Sequence, residues 1–96
     1  MSHKSTLEAI RDYVTLLGGT ANVLHQSGKL AGSAGIPDLY IQIPRYKMAF
    51  WFEVKVGDDK LSEVQDEFIK REVACGSKVV VGDLDTFMEH VNALAT

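Results

Sequence analysis

Two acidic side chains and one lysine, Asp38, Glu53 and Lys55, have the types and the spacing to hold a cation together. Residues 36–43 and 48–56 alternate apolar and polar side chains, which is typical of two strands of an antiparallel hairpin. The register that puts both apolar rows on one face also places Asp38 directly opposite Glu53. Their Cβ atoms would then lie about 4.5–5.5 Å apart, and Lys55 follows on the same face.

Two carboxylates this close repel each other unless one is protonated or a cation lies between them. A hard divalent ion such as Mg²⁺, with Mn²⁺ as a substitute, suits two carboxylates and retained waters. The Val54 carbonyl is a candidate further ligand. The metal would lower the pKa of a bound water and make it a nucleophile. Lys55 would orient or deprotonate that water, or hold a phosphate.

Alternatively, Glu53 and Lys55 are solvated charges on an outer face and Asp38 is a turn residue. Strand alternation alone favours neither interpretation.

Two further polar residues each allow a functional and a structural interpretation. Glu8 can supply a third carboxylate to the site, or complete a capping box with Ser5, and the two roles are compatible. Gln65 can position a water or a phosphate, or act as the capping partner of Ser62. The sequence leaves both alternatives open.

The elements that would position these side chains follow from hydrophobic periodicity and from turn residues. The predicted order is α-β-β-β-α-β-α in one domain covering residues 1–96, an α/β fold with a mixed central sheet flanked by helices. The predicted helices are 5–17, 62–74 and 85–94, the predicted strands are 20–26, 36–43, 48–56 and 78–81, and 27–35 is a loop of small residues.

Composition excludes several classes of protein. With 46% hydrophobic and 24% charged residues, the chain is not an intrinsically disordered one. A net charge of −3 argues against a protein that simply coats nucleic acid, although a bound metal would reverse the local sign. Loop 27–35 lacks the residue order of a P-loop. We expect a cytoplasmic protein, since there is a single cysteine and neither a signal peptide nor a membrane-spanning run.

The remaining residues of types that often act in catalysis or binding are predicted to have no such role here. The three histidines lack metal-ligand spacing with one another or with Cys75; they are His3, His25 and His90. Cys75 is expected to be packed rather than nucleophilic. Trp51 and Tyr40 are expected at a dimer seam rather than stacked on bases, because bases in a duplex stay stacked on each other.

The motifs resemble a known nuclease family. Pro37-Asp38 followed by Glu53-Val54-Lys55 is the signature of the PD-(D/E)xK nucleases. With the surrounding segments, nearly the whole chain resembles the VRR-NUC domain, the virus-type replication-repair branch of that superfamily. The segments that carry the resemblance are 35–39, 53–55, 61–65 and 76–81.

This resemblance implies a restriction-endonuclease-like core, metal-dependent cleavage of DNA phosphodiester bonds and a bacterial or phage-infected host cell. It implies metal binding by Asp38, Glu53 and the Val54 carbonyl, with Glu8 matching a first-helix glutamate of the family in position. It also implies a catalytic lysine at Lys55 and a site glutamine at Gln65. Small stand-alone members are similar to Holliday junction resolvases and act as homodimers on branched DNA, so we expect a homodimer here.

Two competing hypotheses remain. One is a non-catalytic accessory module that keeps the nuclease fold and binds DNA or a protein. The other is a nuclease that acts on flap or linear DNA, which shares the chemistry and differs only in the substrate. The sequence does not separate branched from linear substrates.

Overall fold

The computed structural model describes residues 1–24 and 35–95, which form a mixed α/β fold with three helices and one four-stranded sheet. The predicted order of elements is confirmed. Residues 25–34, with most of the predicted loop and the end of the first predicted strand, lie outside the described residues. The helices are α1 (His3–Leu16), α2 (Glu63–Ala74) and α3 (Leu84–Ala95), and the strands are β1 (Thr20–Val23), β2 (Leu39–Ile43), β3 (Met48–Val54) and β4 (Val79–Gly82).

The sheet has the strand order β1-β2-β3-β4. β1, β2 and β3 pair antiparallel, and β4 runs parallel to β3 after the crossover through α2. The register predicted for the hairpin is confirmed, since Leu39 pairs with Phe52 and Ile43 with Met48. A short 3₁₀ turn, Pro44–Tyr46, connects the two strands.

One face of the sheet carries the apolar core. Phe50 and Phe52 of β3 both pack against the Phe87 ring of α3, with ring centroids 5.7 and 5.1 Å apart. Ile10 and Val14 of α1 are fully buried in the same cluster. Helices α1 and α3 therefore cover this face, because their apolar stripes need a partner surface.

The opposite face of the sheet packs against α2. The Trp51 ring lies edge-on to Phe68 of α2, with centroids 5.8 Å apart, and 4.8 Å from the Tyr40 ring. The two aromatic residues expected at a dimer seam thus contact each other within one chain, and Trp51 also contacts α2. Glu53 on this face is only 2% exposed, so the interpretation of its carboxylate as a solvated outer charge is wrong.

Several local expectations need correction. α1 starts at His3, and its capping box joins Ser2 and Ser5 rather than Ser5 and Glu8. β2 and β3 are shorter than predicted, and β4, which lies at an edge of the sheet, is half-buried. Cys75 is exposed at the end of α2 and not packed. In the described parts of the chain, every helix is too short or too polar to cross a membrane.

Candidate active site

Asp38 is held where β2 begins, between the two neighbouring strands. Its carbonyl accepts a hydrogen bond of 2.8 Å from the Leu24 N–H, which continues the ladder between β1 and β2. Its Oδ2 accepts a hydrogen bond of 3.0 Å from the Val54 N–H at the end of β3. The side chain is 11% exposed. These contacts fix both the backbone and the carboxylate of Asp38 directly before β2.

Glu53 brings its carboxylate to the same place from β3. Its Oε2 accepts a hydrogen bond of 3.1 Å from the Gln65 Nε2, and the Lys55 Nζ lies 3.4 Å from the same oxygen. Its Oε1 is buried and has no hydrogen-bond partner among the described residues. A buried carboxylate oxygen without a donor is costly, because it loses its hydration and gains nothing in return. This oxygen therefore marks a position that suits a cation or a proton.

The pKa of Glu53, which lies close to Asp38, agrees with this geometry. Burial and, after it, the nearby Asp38 carboxylate raise the pKa of Glu53 from 4.5 to about 7, against the opposing effect of Lys55. The single ammonium group thus does not neutralise the two acids. At neutral pH the cluster still favours additional positive charge.

Gln65 has the capping role that the sequence left open, while its role towards a water or a phosphate stays a prediction. Its Oε1 accepts a hydrogen bond of 2.8 Å from the Ser62 N–H, and its own N–H donates to the Ser62 Oγ, so the capping box of α2 is confirmed. The other end of the same amide, Nε2, donates to Glu53. The first turn of α2 is thereby joined to the polar face of β3.

These residues fit a hard divalent cation. Asp38 and Glu53 supply oxygen atoms, and the unpartnered Oε1 of Glu53 is free to bind. Within residues 1–24 and 35–95, no three His, Cys, Asp or Glu side chains already converge as a metal-binding group. A cation held by two carboxylates would thus keep several waters, as Mg²⁺ does. The Val54 N–H donates to Asp38, and the role of the Val54 carbonyl as a metal ligand stays a prediction.

Helix α1 places an unexpected residue beside Asp38, and the role of Glu8 as a metal ligand stays a prediction. Glu8 is exposed, and no group of three possible metal ligands unites it with Asp38 and Glu53 in the described parts of the chain. Instead, the His3 Nε2 lies 3.1 Å from the Asp38 Oδ2. Sequence analysis missed His3 because a spacing of 35 residues carries no ligand pattern. Its position on the first turn of α1 becomes informative only once the helix is docked on the sheet.

Comparisons with protein-family models, with curated proteins and with solved structures give no match to this chain. A functional assignment therefore depends on the chemistry of the cluster formed by Asp38, Glu53, Lys55 and Gln65.

Proposed function

We propose that this chain is a Mg²⁺-dependent endonuclease that hydrolyses phosphodiester bonds in branched DNA, such as four-way junctions. One observation carries the proposal: the buried Glu53 carboxylate keeps one oxygen unpartnered beside a second carboxylate, Asp38, with Lys55 adjacent. Purely structural ion pairs tend to satisfy both oxygens of a buried acid. An acid left partly unsatisfied in an acidic cluster is typical of a metal-dependent hydrolytic site.

The arrangement of elements supports the same conclusion. A restriction-endonuclease-like core has the order α-β-β-β-α-β, which the elements of this chain follow from α1 to β4. Asp38 precedes β2, Glu53 lies near the end of β3, and Lys55 directly follows β3. These are the places at which the PD-(D/E)xK signature would put its acidic residues and its lysine. The resemblance to the VRR-NUC domain thus agrees with how the sheet is built.

Each residue of the cluster has a distinct task in the proposed reaction. Asp38 and Glu53 hold the cation, and the hydrogen bonds from the Val54 N–H and the Gln65 amide keep the two carboxylates oriented. Mg²⁺, when bound, supplies the Lewis acidity that activates a water and polarises the phosphate. Lys55 donates to a phosphate oxygen and offsets the negative charge that develops in the transition state.

The side chain of Lys55 suits this task because it is neither fully buried nor freely solvated. It is 19% exposed, and its Nζ is directed towards Glu53. An ammonium group held in a partly desolvated site acts on a nearby anion more strongly than a solvated one does. It also requires little reorganisation when the substrate binds.

A branched substrate is proposed for reasons of size and charge. A chain of 96 residues with a net charge of −3 has little surface for reading base edges and little excess positive charge for a long duplex. Selectivity would then come from the shape of the branch and from phosphates near the cation. Two sites related by the twofold axis of a homodimer would suit paired cuts across a junction.

The test is nicking of a synthetic four-way junction with Mg²⁺, alongside flap, nicked and linear duplexes of equal length. We expect the wild type to cut the junction fastest. Lys55→Ala and Asp38→Asn should each lower the rate by about 10²-fold or more, as expected for loss of an electrostatic catalytic group. Lys70→Ala is the matched control, since Lys70 is an exposed lysine paired with Asp66, and it should cut as the wild type does.

Other outcomes identify the alternatives. Undiminished cutting by folded Lys55→Ala and Asp38→Asn proteins would refute the site assignment. Faster cutting of flap or linear DNA would support the proposed hydrolysis but show that the preferred substrate is not a branched one. Absence of both cleavage and binding heat with Mg²⁺ or Mn²⁺ would favour the accessory module.

A further inference from the structure

A cavity of about 240 Å³ lies between the start of β3 and the end of α3. Met48, in its wall, is about 17 Å along β3 from Glu53, at about 3.4 Å per residue, and its side chain faces the other side of the sheet. The cavity is therefore separate from the candidate active site, and what it binds does not depend on the proposed nuclease activity. Its lining combines basic and apolar side chains, which include Lys47, Met48, Phe50, Lys78, His90 and Leu94.

His90 contributes an unsatisfied polar atom to this cavity. Its ring packs edge-on against Phe50, with centroids 4.6 Å apart, and its Nε2 is buried without a hydrogen-bond partner among the described residues. Burial and, after it, the Lys78 ammonium lower the pKa of His90, so the imidazole is neutral at pH 7 and one ring nitrogen carries a proton. A buried polar atom without a partner costs free energy. A ligand that accepts a hydrogen bond from Nε2 would remove that cost.

Two lysines give the lining a positive charge. Lys47 and Lys78 are both exposed, and neither takes part in an ion pair within residues 1–24 and 35–95. No acidic side chain lines the cavity in the part of the chain that the structure describes. In a chain with a net charge of −3, this local excess of positive charge favours an anion.

The backbone of Lys47 gives a separate reason to assign a role to its side chain. Its φ of +52° and ψ of +47° are left-handed, and it is the single non-glycine residue with a positive φ among those described. Glycine or asparagine would adopt this conformation at a lower cost. Backbone strain of this kind is found mainly where the residue has a function.

We propose that this cavity binds a small organic anion. A carboxylate or phosphate group of the ligand contacts Lys47, Lys78 and the His90 Nε2. The apolar body of the ligand packs against Phe50 and Leu94, and it would cover Leu94, which is 52% exposed. An inorganic ion or a phosphate of the DNA backbone has no such body. The ligand is small, because pockets for drug-sized molecules measure about 300–1,000 Å³.

The test is a nuclear magnetic resonance titration of the full chain with four probes. Benzoate and phenyl phosphate carry an anionic group on an aromatic ring, benzyl alcohol is their neutral match, and inorganic phosphate lacks the apolar body. We expect both aromatic anions to shift the resonances of His90 and Leu94. They should bind about tenfold or more tightly than benzyl alcohol, as expected for charge-assisted hydrogen bonds, and phenyl phosphate should bind more tightly than inorganic phosphate. The tighter of the two aromatic anions identifies the anionic group.

Substitution of Lys47 separates a binding role from a structural one. Lys47→Asn removes the ammonium group and eases the left-handed backbone, so the variant should be at least as stable as the wild type. It should nevertheless bind phenyl phosphate about threefold or more weakly, the size expected for a partly solvated ion pair. His90→Phe keeps a ring against Phe50 and should weaken binding by about tenfold. Lys60→Asn, which changes an exposed lysine outside this cavity, is the control and should bind as the wild type does.

Three results would overturn the proposal. Equal affinity for benzyl alcohol and the aromatic anions would show that the cavity does not select an anion. Absence of binding, or shifts confined to residues outside the cavity, would remove the site. A DNA duplex that shifts the His90 resonance more than phenyl phosphate does would show that the cavity contacts DNA and not a small molecule.

Discussion

The charge state of Glu53 couples the candidate site to the stability of the fold. Burial and the Asp38 carboxylate raise its pKa from 4.5 to about 7, against the effect of Lys55. The folded chain therefore binds a proton at Glu53 more tightly than the unfolded chain does. This stabilisation is complete below pH 4.5 and is lost as the pH rises through about 7. Since 1.4 kcal/mol corresponds to about one pKa unit, the loss is about 3 kcal/mol.

This gives a prediction at the scale of one residue. In the presence of a chelator, the free energy of unfolding should fall between pH 5 and pH 8 by about 2.5 kcal/mol more in the wild type than in Glu53→Gln, slightly less than the full loss because the unfolded carboxyl is already partly ionised at pH 5. Urea unfolding at the two pH values measures it. Glu89→Gln, which removes an exposed acid of α3, is the control and should behave as the wild type does. Equal pH dependence in wild type and Glu53→Gln would show that Glu53 does not retain its proton in the folded state.

At the scale of elements, the site depends on how closely α2 approaches the segment that leads into β2. Gly35 has a φ of +87°, and a Cβ atom built on it would overlap the Val64 carbonyl in the first turn of α2. This close approach places Gln65 where it can donate to Glu53. A glycine is required here because the backbone is left-handed and because its neighbour is rigid main chain.

Gly35→Ala should therefore disturb both stability and the site. The substitution adds left-handed strain of about 1–2 kcal/mol and pushes α2 away from the sheet. Gly76→Ala is the matched control, since Gly76 has a φ of +90° and open space around its Cα. We expect Gly35→Ala to lower the free energy of unfolding by at least about 1 kcal/mol more than Gly76→Ala does, and to slow cleavage. Equal losses of stability in urea unfolding would contradict the packing argument.

At the scale of the whole molecule, the two faces of the sheet carry different kinds of side chain. Its apolar face is covered by α1 and α3 and supplies the core, while its other face, under α2, carries the polar cluster at the end of β3. The cluster lies at the end of the strands, beside the first turn of α2. The arrangement explains how a small domain combines a buried acid with a partly exposed lysine.

The proposed homodimer predicts how the assembled protein should behave. Light scattering should give twice the mass of one chain, because a twofold dimer presents two cutting sites to a junction. When wild type is mixed with excess Lys55→Ala protein, the mixed dimers should nick one strand of the junction and no longer cut both. A monomeric protein that still makes paired cuts in one binding event would contradict this arrangement.

Much of this architecture could be predicted from local patterns. The order of the elements and the hairpin register follow from alternation and turn residues, and the Ser62–Gln65 capping box follows from its spacing. The start of α1 was misplaced, because Ser2 and Ser5 both suit a cap and the sequence does not choose between them. The expectation for Glu8 came from the resemblance and not from this cap, and the contact of His3 with Asp38 depends on how α1 packs on the sheet.

The sequence by itself determined that Asp38 and Glu53 come from facing ends of one hairpin, because a single register buries both apolar rows. Only the tertiary structure decided that α2 covers the polar face, so that Glu53 is buried, and that His3 reaches Asp38. These contacts join segments distant in the chain, and their geometry depends on how the helices pack against the sheet. The periodicity of one segment says which face it buries, but not which residue of another segment it will meet.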